Sequence, residues 1–263
     1  MPPSRRDFLA TSAAMTAGAL LGRPLPALAS PPVPAMQPVP PIQAAQSVFT
    51  PLRRNVGTFT MRGGTVGWLV NPGGVAVVDT QFPAEARTLL AGLQERSGSR
   101  GVDVLINTHH HGDHSGGNGV FAGVARRVVA HGMADQHMRR APQPPPQAQP
   151  APPAQQPAPQ QQPTQPPPPP PLYPDTTFTH SWSAEVGDER IVATHHGRAH
   201  TSGDAVITFE RANVVHMGDL AFHRRHPVVD RAAGASMRNW ARTLEQVVNA
   251  HAPDTLYIFG HAG

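Results

Sequence analysis

The densest run of potential chemistry in the chain is Thr108-His109-His110-His111-Gly112-Asp113-His114, an H-x-H-x-D-H pattern directly after the apolar run Val104-Leu105-Ile106. A strand that empties into such a loop gathers imidazoles and a carboxylate at a sheet edge, a donor set suited to a borderline dication such as Zn²⁺. Alternate side chains of an extended backbone face the same way, so His109 and His111 can grip one cation while His110 points elsewhere. Gly112 permits a sharp turn, after which Asp113 and His114 can face a second cation. A lone Asp ahead of Ser115-Gly116-Gly117 would more often be a helix N-cap. Three further candidates change those odds: His200 in Gly197-Arg198-Ala199-His200-Thr201-Ser202-Gly203-Asp204, Asp219 after Val214-Val215-His216-Met217-Gly218, and His261 after Tyr257-Ile258-Phe259-Gly260. The last two both follow an apolar strand and a Gly.

The elements that must position these residues are legible as short apolar runs between turns. Strands are expected at Gly57 to Arg62, Thr65 to Val70 and Val75 to Asp79, joined by Gly-Gly and Pro-Gly-Gly turns. Pro83 opens a helix to about Arg96 with Leu89, Leu90 and Leu93 on its apolar face. Val102 to Asn107 and Arg127 to Ala130 read as strands, and His131 to Arg140 as a short helix. Further strands fall near Glu189 to Thr194, Ala205 to Glu210, Asn213 to Met217 and Thr255 to Phe259, with a helix from Ser236 to about Ala250. Strand-rich halves that each carry helices predict an α/β (α+β) fold of two sheets packed face to face with helices outside. Trp68 and Trp240 lie in periodic apolar segments and are read as core.

Composition narrows the function classes. With 263 residues and 39% apolar content, one catalytic domain with a real core is the default. Cysteine is absent, which removes disulfides, thiolate metal sites and Cys nucleophiles. The net charge of +4 is carried entirely by Arg, with no Lys, and is too small for a nucleic-acid footprint. Ser4-Arg5-Arg6-Asp7-Phe8-Leu9 is a twin-arginine pattern, followed by a mildly apolar stretch from Ala10 to Leu21 and by Ala27-Leu28-Ala29, a small-x-small cleavage site. Residues 1–29 are therefore expected to be a signal peptide handled by the Tat export machinery and cut after Ala29, leaving a periplasmic or secreted product. The apolar stretch is about a dozen residues, short of the roughly twenty of a permanent span. Residues 30–50, rich in Pro, Ala and Gln, read as a linker, and 51–263 as the domain. An insert at 142–171, with 16 Pro in 30 residues, interrupts it as a solvated, polyproline-like loop.

Taken in order, these motifs resemble the metallo-β-lactamase fold superfamily of hydrolases. The resemblance rests on Asp79 ending an early strand, the H-x-H-x-D-H loop, His200 followed by Thr and Gly-Asp, Gly218-Asp219 and Gly260-His261. It implies a four-layered αββα sandwich with the metals at the shared edge of its two sheets. It also implies that His109, His111 and His200 hold a first metal, that Asp113, His114 and His261 hold a second, and that Asp219 bridges them. The expected cofactors are two Zn²⁺, with Fe or Mn as alternatives. Two dications lower the pKa of a water between them to roughly 7, making a nucleophile without Ser or Cys. Asp113 is a candidate catalytic residue that accepts a proton from that water. Asp79 and Asp204 are candidates to orient ligand imidazoles, with a cap or turn role the equal alternative. His195, His196, His216, His223 and His226 are assigned no metal, and His131 and His137 are expected at the solvent. The family usually continues past its last His with a covering helix, whereas this sequence ends at Gly263, so either it is a fragment or the sandwich's last layer is abbreviated.

Asp219 narrows the chemistry further. Zinc β-lactamases generally lack a bridging Asp here, some using Cys, whereas glyoxalase-II-like thioesterases, lactonases and phosphodiesterases usually keep it. The small-molecule substrate is thus expected to be an ester, lactone or thioester, with β-lactam hydrolysis an alternative. A rival of another class is an iron-dependent sulfur dioxygenase-like oxidoreductase of the same fold. A flavin-partnered di-iron reductase is opposed by His111, where that type usually has Glu.

Overall fold

A computed structural model describes residues 48–140, 167 and 169–261. The signal peptide, nearly all of the linker and most of the Pro/Gln insert lie outside the described residues, as does the predicted cleavage after Ala29. Seven strands form the first sheet: β1 (Val48–Pro51), β2 (Val56–Thr60), β3 (Val66–Asn71), β4 (Gly74–Val78), β5 (Val104–Asn107), β6 (Val128–His131) and β7 (Thr176–Phe178), side by side in sequence order. Five form the second, in the order β12-β11-β10-β9-β8: β8 (Ser181–Val186), β9 (Glu189–Thr194), β10 (Val206–Phe209), β11 (Val214–His216) and β12 (Leu256–Ile258). The helices are α1 (Pro83–Ser97), α2 (Gly112–Ser115), α3 (Gly132–Arg140) and α4 (Met237–Ala250).

Period-two alternation sorts the strand residues into layers. On β4, Ala76 and Val78 face the second sheet while Val75 and Val77 face α1; on β5, Val104 and Ile106 face inward and Leu105 outward. Across the middle, Ile191, Ile207, Phe209 and Val214 of the second sheet complete the inner core. Val206 and Val215 turn to the opposite face, where Trp240 and Val247 of α4 cover them. Leu89 and Leu93 of α1 seal the far side of the first sheet. Helix, sheet, sheet, helix is the expected four-layered order, and Trp68 and Trp240 are both core residues, 6% and 4% exposed. Among the described residues no helix is long and apolar enough to cross a membrane.

The strands at Gly57, Thr65, Val75, Val102, Arg127, Glu189, Ala205, Asn213 and Thr255 and the helices at Pro83, His131 and Ser236 all form, within a few residues of the expected bounds. Three strands were not anticipated. β1 occupies the end of the segment read as linker: it pairs antiparallel with β2, and Phe49 packs on the first sheet's outer core under the Arg96 guanidinium, 3.9 Å from the ring centroid. Only that one side chain anchors it, so composition hides it, and Pro51 is tolerated because the strand is at an edge. β7 has three residues only, and β8, for which no strand was expected, does alternate: Trp182 packs on the core between exposed Ser181 and Ser183.

Leu89 is fully buried on the face of the sheet remote from the predicted ligands. Leu89→Ala should therefore cost about 2–5 kcal/mol in denaturant unfolding. The folded fraction should titrate with metal as the parent does, because the defect lies behind the sheet.

Candidate metal centre

Parallel pairing brings the critical strand ends together. β4 and β5 run parallel in one sheet, β11 and β12 in the other, and their C-terminal ends release Asp79, the Thr108 loop, Asp219 and His261 respectively. β10 is antiparallel to β11, so the loop entering it, which carries His200, lies at the same edge. Crevices beyond the carboxyl ends of parallel strands are the usual place for a site in open sheets.

The side chains converge in two groups. One donor atom from each of His109, His111, His200 and Asp219 lies within 4.8 Å of the others, and the same holds for Asp113, His114 and His261. His111 Nδ1 is 3.1 Å from His109 Nε2 and 3.0 Å from His200 Nε2. Asp219 lies between the groups: Oδ2 is 3.6 Å from His200 Nε2, 3.9 Å from His109 Nε2 and 3.5 Å from His261 Nε2, and Oδ1 is 3.1 Å from His114 Nε2. Asp113 Oδ2 stands 3.3 Å from His261 Nε2. All seven sequence-predicted ligands are thus brought together. His110 turns away, its ring packing on His137.

Hydrogen bonds to the outer ring nitrogens fix which nitrogen faces the centre. Asp79, fully buried and in the left-handed region at φ 66°, accepts from the Thr108 backbone N–H at 2.8 Å and the Thr108 hydroxyl at 2.7 Å. That hydroxyl is 3.0 Å from His109 Nδ1 and can accept its proton, while His114 Nδ1 donates to Asp79 Oδ2 at 2.8 Å. His200 Nδ1 donates to the Val228 carbonyl at 2.7 Å. His111 is turned the other way round: Nε2 meets Asp230 Oδ2 at 2.9 Å, leaving Nδ1 inward.

The electrostatics suit cations. Burial would raise the Asp219 carboxyl, but the surrounding imidazoles, His114 first, hold it well below the usual range. Burial likewise opposes charge on His114, yet Asp79 and Asp219 raise it well above an ordinary imidazole. Hydrogen bonds donated to Asp113 and Asp219 raise His261 to about 9. Burial pushes His109 down, helped by neighbouring His114. Despite their proximity, His114 Nε2 and Asp219 Oδ1 are buried without a hydrogen bond of acceptable geometry, two polar atoms aimed into the gap between the groups. Nitrogen and carboxylate donors with fixed tautomers and orphaned inner atoms fit divalent metal ions, which would displace the protons of His114 and His261.

Comparison with known proteins agrees with this fold. Residues 60–261 match the metallo-beta-lactamase superfamily. The chain belongs to the metallo-β-lactamase superfamily. Residues 2–22 match the signal sequence of the twin-arginine translocation pathway, so this superfamily member is exported across the membrane through the Tat machinery, to the periplasm or beyond. Among solved structures it resembles the metallo-beta-lactamase from Pontibacter korlensis (16% identity, TM-score 0.62, 83% of this chain and 92% of that one). It also resembles the metallo-beta-lactamase IND-7 (17%, 0.62, 83% and 91%) and the DIM-1 metallo-beta-lactamase (12%, 0.62, 83% and 90%). At such identities the likeness is one of fold. No curated protein matches the sequence.

One open alternative is resolved and two expectations require correction. Asp204 touches no ligand imidazole: its carboxylate accepts from Thr201 N–H at 2.8 Å and Thr201 Oγ1 at 2.6 Å, closing the turn that follows His200. It therefore takes the turn role. His131 is not at the solvent but 5% exposed, because β7 pairs beside it; its ring stacks on His195 at 3.9 Å and Nε2 donates to the Thr179 carbonyl at 3.0 Å. His137 is half-buried, with Nε2 2.8 Å from Ser202 Oγ. Sequence reasoning missed Asp230. Its run Asp230-Arg231-Ala232-Ala233-Gly234 signals a turn, which Oδ1 indeed closes by accepting from Ala233 N–H at 2.9 Å, but nothing in the run points to His111.

Two substitutions probe this framework. Asp230→Ala frees the outer nitrogen of His111 and should weaken the tighter of two stepwise metal equilibria by about 10–100-fold, while Asp230→Asn, which keeps an acceptor, should lose less. A methyl group on Gly260 would run into Asp219 Oδ1 and the Gly218 backbone. Gly260→Ala should therefore lower metal stoichiometry, read by elemental analysis, with secondary structure retained by circular dichroism.

Proposed function

We propose that the chain is an exported dinuclear zinc hydrolase that adds water to an ester, lactone or thioester carbonyl. The observation that carries this reading is Asp219, a buried carboxylate with one oxygen toward His114 and the other toward His109, His200 and His261. In this reading His109, His111 and His200 hold one cation, Asp113, His114 and His261 the other, and Asp219 both. A pair of dications so held would lower the pKa of water and polarise a carbonyl oxygen.

The chain's own groups prepare for that reaction. Burial alone would raise Asp113, but the His261 hydrogen bond and the charge of His114 bring it below the usual carboxylate range, so it stays ionised. It is partly exposed, at 29%, and faces the cavity with His111, His200, Asp219 and His261, where it can accept a proton from the attacking water. Phe222 lies on His261, the rings 4° from parallel at 5.6 Å, and with Val228 supplies apolar wall that limits water to the reacting face. Asp79, Thr108 and Asp230 orient the imidazoles and touch no substrate. A carboxylate at position 219 in a chain without Cys favours carbonyl esters over β-lactams.

The test is metal analysis of the purified mature protein together with a panel of lactone, thioester, carboxylic ester, phosphodiester and β-lactam substrates. We expect two zinc ions per chain and turnover of the first three classes, with Asp219→Ala losing both metal occupancy and at least about a hundredfold in rate. Preferential β-lactam or phosphodiester turnover would overturn the substrate choice. Iron with oxygen consumption would establish the oxidoreductase reading instead.

A further inference from the structure

Three cavities meet beside the metal centre, and Arg225 lines all of them. One, of about 270 Å³, contains the inward faces of His111, Asp113, His200, Asp219 and His261. A second, of about 330 Å³, is floored by the polar turn Arg62-Gly63-Gly64-Thr65. The third, of about 370 Å³, has a different character: Leu220, Phe222, Pro227, Met237, Trp240 and Leu244 form its walls. It adjoins the first at Phe222 and Arg225, which line both.

The apolar cavity is built rather than incidental. Its back wall, Trp240, is 4% exposed, and its indole N–H donates to the Leu220 carbonyl at 3.0 Å, which locks the ring between α4 and the loop after β11. Phe222 is held by His261 on one face and meets His200 edge-on at 6.1 Å, so one aromatic ring is the wall between ligands and groove. On its wall Met237 is 54% exposed, and in the adjoining ligand cavity Val228 is 56% exposed, two of the five large apolar side chains left in water among the described residues. An Arg at the junction can lay its methylene stem along apolar wall and keep its guanidinium in the polar cavities. Cavities of this size are ordinary for small-molecule sites, where apolar wall supplies affinity and a few polar groups fix orientation.

We infer that the groove formed by α4 and the loop after β11 takes an apolar chain of the substrate, so that the hydrolysed compound is an amphiphile whose carbonyl sits at the metal centre and whose aliphatic group runs over Phe222 toward Trp240. The inference rests on the hydrolase reading for the reaction and on the groove's own walls for the chain. The aliphatic group can belong to the acyl side or to the alcohol side of the ester.

Two ester series separate these sources: acetate, butyrate and octanoate of one alcohol, and ethyl, butyl and octyl esters of one acid, each with the zinc-loaded protein. A fully buried methylene is worth about fourfold. We expect kcat/KM to rise at least about tenfold along one series, and the side that responds names the chain's origin. Ala241, exposed on α4 and lining the groove, provides the block: Ala241→Phe should lower the long-to-short ratio at least about tenfold, while Val248→Lys on the solvent face of the same helix should leave that ratio unchanged. A flat response in both series, or a ratio indifferent to Ala241→Phe, would overturn the inference. Should no ester be hydrolysed, the reaction fails but the groove is still tested. Decanol should then perturb tryptophan emission saturably, an effect lost in Trp240→Phe and in Ala241→Phe, and its absence from the parent protein would overturn the groove as an apolar site.

Discussion

A negative charge buried at the edge of two sheets is the constraint around which this structure is arranged. Asp219 is 6% exposed and would be costly there unless cations or protonated imidazoles faced it. Four imidazoles face it, drawn from the ends or beginnings of strands in both sheets, and two of them, His114 and His261, are held toward the charged form. The sandwich thus delivers charge compensation for one carboxylate, and the same convergence is what makes the place fit for divalent metal.

Holding a metal ion, by contrast, requires that each ring offer it a lone pair rather than a proton. For four of the five predicted ligand imidazoles the outer nitrogen is occupied: Asp79 with His114, the Thr108 hydroxyl with His109, the Val228 carbonyl with His200 and Asp230 with His111. Asp79 serves two rings at once and adopts a left-handed backbone to do it, an unfavourable conformation for a residue with a Cβ. Such strain persists where surrounding contacts over-determine it. Gly64 belongs to the same economy of space, since a Cβ there would enter the His114 ring.

The segment between Ala221 and Ser236 joins the ligand framework to the cavities beside it. It supplies the Val228 carbonyl and Asp230 that aim two imidazoles, and also Phe222, Arg225 and Pro227 that line the cavities. Its backbone is tied to the His200 loop through Asp230 N–H to the His200 carbonyl, 3.2 Å, and Ser202 N–H to the Ala233 carbonyl, 2.9 Å. A change in this loop that reshapes the groove therefore also moves the imidazoles, because one stretch of backbone and its hydrogen bonds serve both.

The sequence alone determined the layered fold and the seven converging side chains, because both follow from local rules. Apolar runs of period two mark buried strands, and a His or Asp that directly follows such a run is carried to the strand's end wherever the sheet goes. Local rules fail where one residue answers to a distant one. Asp230 reads as a turn former and is one, but its bond to His111 spans 119 positions. Phe49 anchors a strand within a stretch of linker-like composition, and His131 is buried only because β7 lies beside it. Which nitrogen of each imidazole points inward, and which apolar walls stand next to the metal donors, were likewise decided by the tertiary structure alone. Both depend on atoms brought within a few ångströms by folding, and no spacing along a chain encodes such a meeting.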